Sequence, residues 1–119
     1  MIAFTRVASM APARHGEAIA AAHEIARYVK GAHGVDFEVL LPIAGHPQRV
    51  AWSSRHTDLA ALEALNARIA DDARYWAIMR SAAGNFLPGS MHDSIWRTAS
   101  LELLGTPCPP ITPPRCRLP

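Results

Sequence analysis

The pattern of apolar and polar positions predicts an amphipathic helix over residues 75–86. Counted from Tyr75, its apolar residues recur at +3, +4, +7, +8 and +11, which is the spacing of one helix face. Asp71 and Asp72 precede it, where carboxylates accept free backbone N–H groups. Gly84-Asn85 follows, a pair that tolerates the positive φ of a helix end. We therefore expect the two aspartates to be helix caps.

The same reading divides the rest of the chain into strands and helices. Residues 35–41 are the clearest strand, and a turn at Gly45-His46 would pair Val39 with Trp52 and Asp36 with Arg55. The other predicted elements are a strand over 2–10, a helix over about 13–33 with a seam of His15, Ile19, Ala22, Ala26, Val29 and His33, a returning strand over 48–55, a helix from Thr57-Asp58 that restarts at Asp71-Asp72, and a strand over 91–98.

The order β-α-β-β-α-β is that of the ferredoxin-like α+β fold, a four-stranded antiparallel sheet with both helices on one face. We expect this domain over residues 1–99 and a proline-rich arm over 100–119. The other face of the sheet would expose Phe4, Trp52 or Trp96, depending on the phase of the strands. Such a patch usually has a partner, and the simplest partner is a second copy in a homodimer, which the arm could wrap.

Composition excludes several classes of protein. The net charge of +2 is too small for a nucleic-acid or membrane-surface protein, and the third predicted strand lacks the basic-Gly-aromatic run of an RNA-binding module. No apolar run reaches the roughly 20 residues of a membrane span, and the N-terminus lacks a signal-peptide pattern. We expect a cytoplasmic protein whose Cys108 and Cys116 are reduced thiols.

Few residues are candidates for chemistry. The histidines of the first helix, His15, His23 and His33, have no spacing that would present two metal ligands, so a structural role is the simpler interpretation. His92 could act as a general acid or base if His92, Ser94 and Trp96 face the helices.

The other candidates would line a pocket and not react. His56 lies where the third strand meets a helix, a rim position. Trp76 flanks the apolar stripe, either as a core-edge side chain or as a wall that stacks on a planar ligand. Phe86 ends the stripe and would be core or a second wall.

Three stretches resemble a known superfamily. They are Arg49-Val50-Ala51-Trp52-Ser53 before the Thr57-Asp58 helix, Asp72 four residues before Trp76, and Pro88-Gly89-Ser90-Met91 before the last strand. Over residues 1–99 the chain resembles the dimeric α+β-barrel superfamily, and is most similar to NIPSNAP-like proteins and antibiotic-biosynthesis-type monooxygenases. The resemblance implies a homodimer with a cleft between helices and sheet in each protomer, where some members bind and oxidise small aromatic molecules or haem.

The resemblance also bears on the cofactor. The haem-degrading branch uses an Asn on the first strand, a Trp on the second helix and a His at that helix's end. This chain has Thr5, Trp76 and Asn85 there, so haem is disfavoured and no cofactor is expected.

Two functions remain open at this point. One is a cofactor-independent monooxygenase acting on a planar apolar substrate, with His92 as the catalytic residue. Its substrate contacts would be Trp76, Phe86, His56 and Trp96. The alternative is a non-catalytic binding or structural homodimer whose cleft is filled by its own side chains.

Overall fold

The computed structural model describes residues 1–99. Its elements are β1 (Ile2–Ser9), α1 (His15–His33), β2 (Glu38–Leu40), β3 (Arg49–His56), α2 (Leu59–Ala70), α3 (Ala73–Ala82), a 3₁₀ turn (Ala83–Asn85) and β4 (His92–Arg97). The predicted arm over 100–119, with Cys108 and Cys116, lies outside the described residues. No helix among residues 1–99 is long and apolar enough to cross a membrane.

The four strands form one antiparallel sheet in the order β2-β3-β1-β4. This arrangement confirms the predicted ferredoxin-like α+β fold. Val39 pairs with Trp52 as predicted, but β2 ends at Leu40 and is shorter than the alternation suggested. The expected partnership of Asp36 with Arg55 is wrong. Asp36 precedes β2, and its carboxylate is 3.0 Å from the ammonium of Lys30 in the last turn of α1.

The register assigns each strand residue to one of two faces. Phe4 and Ala8 of β1 and Trp52 of β3 are buried under the helices, so they lie on what we call the helix face. Residues directly paired across an antiparallel ladder share a face. The opposite surface of the sheet, which we call the open face, is therefore formed by Ala3, Thr5 and Val7 of β1, Ala51 and Ser53 of β3, and His92, Ser94 and Trp96 of β4. Of the three aromatics considered for this face, it carries Trp96, which is 65% exposed.

Helix α1 meets the sheet through a stripe of mainly small side chains. Its buried residues are Ala18, Ala22, Ile25, Ala26 and Val29. The predicted seam was right at Ala22, Ala26 and Val29 and wrong at His15, which is exposed. Alanine lets the helix backbone approach closely, and the buried Trp52 indole N–H donates to the carbonyl oxygen of Ala22 at 3.1 Å. This bond anchors β3 to α1 at the centre of the core.

The second helical layer is broken, as the two aspartates predicted. Asp58 caps α2 by accepting the N–H of Ala61 at 2.8 Å, and α2 buries Leu62 and Leu65. Asp71 follows the last residue of α2, and Asp72 is the N-cap of α3. After α3 the 3₁₀ turn brings Phe86 into a bridge with Met10, and the loop 88–91 leads into β4.

Two leucines of α2 test this packing. Leu65 is 1% exposed and Leu59 is 48% exposed. We expect Leu65→Ala to lower the free energy of unfolding by about 2 to 5 kcal/mol, because it leaves a core cavity. The matched Leu59→Ala should change it by no more than about 0.5 kcal/mol. Urea unfolding followed by circular dichroism measures both, and equal losses would contradict the described orientation of α2.

Candidate functional site

A cavity of about 220 Å³ lies between the helix face of the sheet and the helices. Phe4 and Trp52 line it from the sheet, Ile25 and Val29 from α1, and Tyr75, Trp76 and Met79 from α3. We call it the first cavity. Its walls are mostly aromatic and aliphatic, which is typical of sites for small organic molecules.

Part of the wall of the first cavity is polar. Arg6 of β1 holds Asp93 of β4 through two parallel bonds, Nε to Oδ1 at 2.7 Å and a terminal guanidinium nitrogen to Oδ2 at 2.9 Å. The hydrogen bond from Arg6 lowers the pKa of Asp93, and the same bond raises the pKa of Arg6. Both groups are therefore charged at neutral pH, and together they are neutral. The guanidinium has five N–H donors, so some remain free for a ligand.

Tyr75 is a further polar residue in this wall. Burial raises the pKa of its phenol, and the nearby Arg6 opposes that effect only in part. The phenol is therefore protonated at neutral pH and can donate a hydrogen bond. Arg6, Asp93 and Tyr75 come from three different elements, and they give the first cavity a small polar group of zero net charge.

Trp76 forms an exposed part of the wall. Its side chain is 44% exposed, its ring lies 5.1 Å from that of Tyr75, and its indole N–H donates to the carbonyl oxygen of Ala70 at 3.2 Å. Ala70 is the last residue of α2, where carbonyls have no partner within the helix. The break between α2 and α3 therefore provides the acceptor that orients Trp76.

Asp72 holds this break in place. Its carboxylate accepts the hydroxyl of Tyr28 at 2.6 Å, the Nε2–H of His33 at 2.8 Å, and the backbone N–H groups of Arg74 and Tyr75 at 3.1 Å each. The Tyr28 bond is the largest of the effects that lower the pKa of Asp72 to about 2, with the Tyr75 N–H and His33 adding to it. The end of α1 and the start of α3 are thereby tied to one ionised group.

A second cavity, of about 260 Å³, adjoins the first. The two share four wall residues, which are Ile25, Trp52, Met79 and Met91. The remaining wall of the second cavity includes Ala8, Ala82, Phe86 and Leu87, and the Phe86 ring is 5.8 Å from that of Trp52.

The structure separates the residues that the sequence suggested for the site. Trp76 lines the first cavity and Phe86 the second. His56 is 7% exposed and lines neither, its Nε2 lies 2.8 Å from the hydroxyl of Ser54, and burial lowers its pKa. His92 and Trp96 lie on the open face, because His92 pairs with Val7 and not with a residue of the helix face. The condition under which His92 would reach the cleft is not met.

Sequence reasoning missed Arg6, Asp93 and Tyr75 as site residues. Arg6 lies between Phe4 and Ala8 on the buried face of β1. A charged residue at such a position marks a candidate site residue, and this signal was present in the sequence. Asp93 was missed because the sequence did not indicate which residues of β4 face the helices. Tyr75 was counted with the apolar stripe of its helix, and core was preferred for it over a ligand contact.

The two positions at which this chain differs from the haem-degrading branch, Thr5 and Asn85, lie outside the described lining of the first cavity. Thr5 lies on the open face. Asn85 is buried and accepts the Nε–H of Arg14 at 2.9 Å. Within residues 1–99, no three His, Cys, Asp or Glu side chains are grouped so that they could hold a metal ion.

Solved structures with this fold include NIPSNAP proteins and candidate antibiotic biosynthesis monooxygenases. An uncharacterised NIPSNAP domain protein from Burkholderia xenovorans matches with a TM-score of 0.72 and 14% identity, over 92% of this chain and 99% of that chain. A NIPSNAP family protein from Agrobacterium tumefaciens matches with a TM-score of 0.65 and 15% identity, over 82% and 92%. A candidate antibiotic biosynthesis monooxygenase from Nitrosomonas europaea matches with a TM-score of 0.62 and 15% identity, over 84% and 100%.

These similarities confirm the predicted resemblance at the level of the fold. No protein-family model matches the sequence, and no curated protein gives a significant match.

The Asp72 contacts predict a pH dependence of stability. Because folding lowers the pKa of Asp72 from 3.8 to about 2, its ionised form stabilises the fold above pH 3.8, and this contribution is lost as the pH falls towards 2. Asp72→Asn keeps a capping residue but removes the charge. We expect wild type to be more stable than this variant at pH 7, and the difference to shrink between pH 4 and 2.

Chemical denaturation at several pH values measures this difference. Asp71→Asn, at an exposed neighbouring position, is the control and should follow wild type throughout. A difference between wild type and Asp72→Asn that stays constant down to pH 2 would contradict the assignment.

Proposed function

We propose that this protein is a homodimer and that each subunit binds one planar, largely apolar small molecule in its cleft. The more specific version of the proposal is that the protein oxidises this molecule as a cofactor-independent monooxygenase. The observation that carries the proposal is the first cavity, a mainly apolar space of about 220 Å³ with a small polar group in its wall. Burial of an apolar ring there contributes about 25 cal/mol per Å² removed from water.

The apolar and polar parts of the wall of the first cavity indicate how such a ligand would lie. Its ring would rest among Phe4, Trp52 and the exposed Trp76. An oxygen on the ring would accept hydrogen bonds from free N–H groups of Arg6 and from the hydroxyl of Tyr75. Because Arg6 is already neutralised by Asp93, the site favours a neutral hydroxyl or carbonyl oxygen over a carboxylate, which would have to compete with Asp93.

The monooxygenase form is supported by the fold, which is shared with candidate antibiotic biosynthesis monooxygenases from two bacteria. In such a reaction O₂ delivers one oxygen atom to the substrate, two substrate hydrogens leave with the other atom as water, and the substrate supplies the electrons. The described lining of the first cavity contains no histidine. This chain's residues would therefore act by binding an electron-rich substrate, orienting its oxygen at Arg6 and Tyr75, and excluding water.

The alternative is a non-catalytic dimer of the same fold. It is favoured by the pairing of Asp93 with Arg6. Asp93 is the only carboxylate in the described lining of the first cavity, and the pairing lowers its pKa, so it is a weak base for catalysis. The two forms differ in the fate of the bound molecule, since only the enzyme consumes oxygen.

The proposal of a homodimer rests on the open face. Among residues 1–99, α1, α2 and α3 all lie on the opposite side of the sheet. The open face carries Trp96, and exposed tryptophan is characteristic of protein interfaces. A second copy related by a two-fold axis would cover both open faces at once.

Binding is tested with 2-naphthol, a planar apolar probe with one oxygen. We expect saturable binding to wild type, and an affinity about threefold to tenfold lower for Trp76→Ala, because an aromatic contact is lost. Trp76→Phe, which keeps a ring, should retain most of the affinity. Fluorescence titration measures all three proteins.

Failure of 2-naphthol to saturate, or equal affinity in Trp76→Ala, would contradict binding in the first cavity. Oxygen uptake by the bound complex, followed with an electrode, distinguishes the enzyme from the non-catalytic dimer.

The interface is tested separately by Trp96→Arg. We expect the dimer dissociation constant to rise about thirtyfold or more, since a central interface tryptophan typically contributes at least about 2 kcal/mol. Leu59→Arg, at an exposed position on α2, is the matched control and should leave the constant unchanged. Sedimentation equilibrium gives both values, and a wild-type constant for Trp96→Arg would place the interface elsewhere.

A further inference from the structure

The second cavity differs from the first in having no charged side chain and no free hydroxyl among its described lining residues. The one hydroxyl among its described lining residues is that of Ser90, which donates to the carbonyl oxygen of Leu87 at 2.7 Å and accepts the N–H of Ser9 at 3.1 Å. One bond lies within the loop that carries Ser90 and the other ties this loop to β1. A water molecule needs two to four polar partners to be held in a cavity, so this space of about 260 Å³ suits an apolar occupant.

The boundary between the two cavities is partly fixed and partly adjustable. Trp52 is held by its bond to Ala22 and forms a fixed part of the wall of both cavities. Ile25, Met79 and Met91 complete the shared wall. Methionine is unbranched and has three rotatable bonds, so Met79 and Met91 can change rotamer to admit a slender group without disturbing the backbone.

We infer that the second cavity is the chain-binding subsite of the same ligand, and that the ligand is an amphiphile. Its planar head, with an oxygen at Arg6 and Tyr75, occupies the first cavity, and its aliphatic chain passes Met79 and Met91 into the second. The inference rests on the proposed function, because it takes the head to be bound in the first cavity. It adds the class of substrate, an aromatic or quinone-like head bearing an alkyl or alkenyl chain.

A chain-length series tests this on the intact protein. The probes are 2-naphthol, 6-propyl-2-naphthol and 6-hexyl-2-naphthol, titrated by their own fluorescence. Burial of a methylene contributes about 0.8 kcal/mol, or about fourfold in affinity. Even with part of that gain lost to ordering the chain, we expect the hexyl compound to bind wild type at least about a hundredfold more tightly than 2-naphthol.

Ala82→Leu is the variant that isolates the second cavity. Ala82 is buried on α3 and lines the second cavity but not the first, so leucine would fill the chain's space. We expect 2-naphthol to bind this variant within about twofold of wild type, and the hexyl advantage to fall below about tenfold. Ala77→Leu, an exposed position on the same helix that lines neither cavity, is the matched control and should keep the full advantage.

The outcomes separate the two proposals. If 2-naphthol binds in a Trp76-dependent way but the hexyl compound binds no better, or if Ala82→Leu keeps the hexyl advantage, the chain subsite is wrong and the head site stands. If 2-naphthol itself does not bind, the proposed function fails. Should Ala82→Leu not fold, nuclear Overhauser contacts from the chain methyl of bound hexyl-naphthol to the Phe86 ring of wild type decide the question. Their absence would overturn the inference.

Discussion

The cleft depends first on how one carboxylate interrupts a helix. Without Asp72, residues 59–82 have a pattern that one long amphipathic helix could satisfy. Asp72 instead accepts the first free N–H groups of α3 and two side chains from the end of α1. The chain changes direction at this point, the last carbonyl of α2 becomes available to the indole of Trp76, and Tyr75 is brought over the sheet. A local capping interaction thereby sets the shape of a site formed by several elements.

The sheet supplies the other half of the site, and its contribution is decided by strand phase. On the helix face, Arg6 stands among buried apolar neighbours and is tolerated because Asp93 on the adjacent strand neutralises it. The pair is bidentate and partly solvated, so it costs less than an isolated buried charge. The same alternation that places Asp93 in the cleft places His92 and Trp96 on the open face. A shift of one residue in the pairing of β4 with β1 would instead place His92 and Trp96 on the helix face and Asp93 on the open face.

The sequence predicted the elements and their order because local signals were strong and mutually consistent. Alternation over 35–41, the helix stripes and the aspartate caps each acted over a few residues, and the pairing of Val39 with Trp52 followed from turn position and alternation together. The site was predicted less well because its polar residues are far apart in the sequence. Arg6 and Asp93 are 87 positions apart, and β4 is an exposed edge strand whose adjacent Ile95 and Trp96 give no alternation from which a phase can be read.

The two methionines between the cavities have a consequence for how long such a site would stay functional. Thioether sulfur is readily converted to the sulfoxide, which replaces a flexible apolar side chain with a polar, chiral one. At Met79, which is only partly exposed and lines both cavities, this would put a polar oxygen against an apolar wall. A protein that handled oxygen beside these residues would then be exposed to damage by its own reaction. These methionines would be the first side chains of the site to be oxidised, and restoring them would require reduction of the sulfoxide.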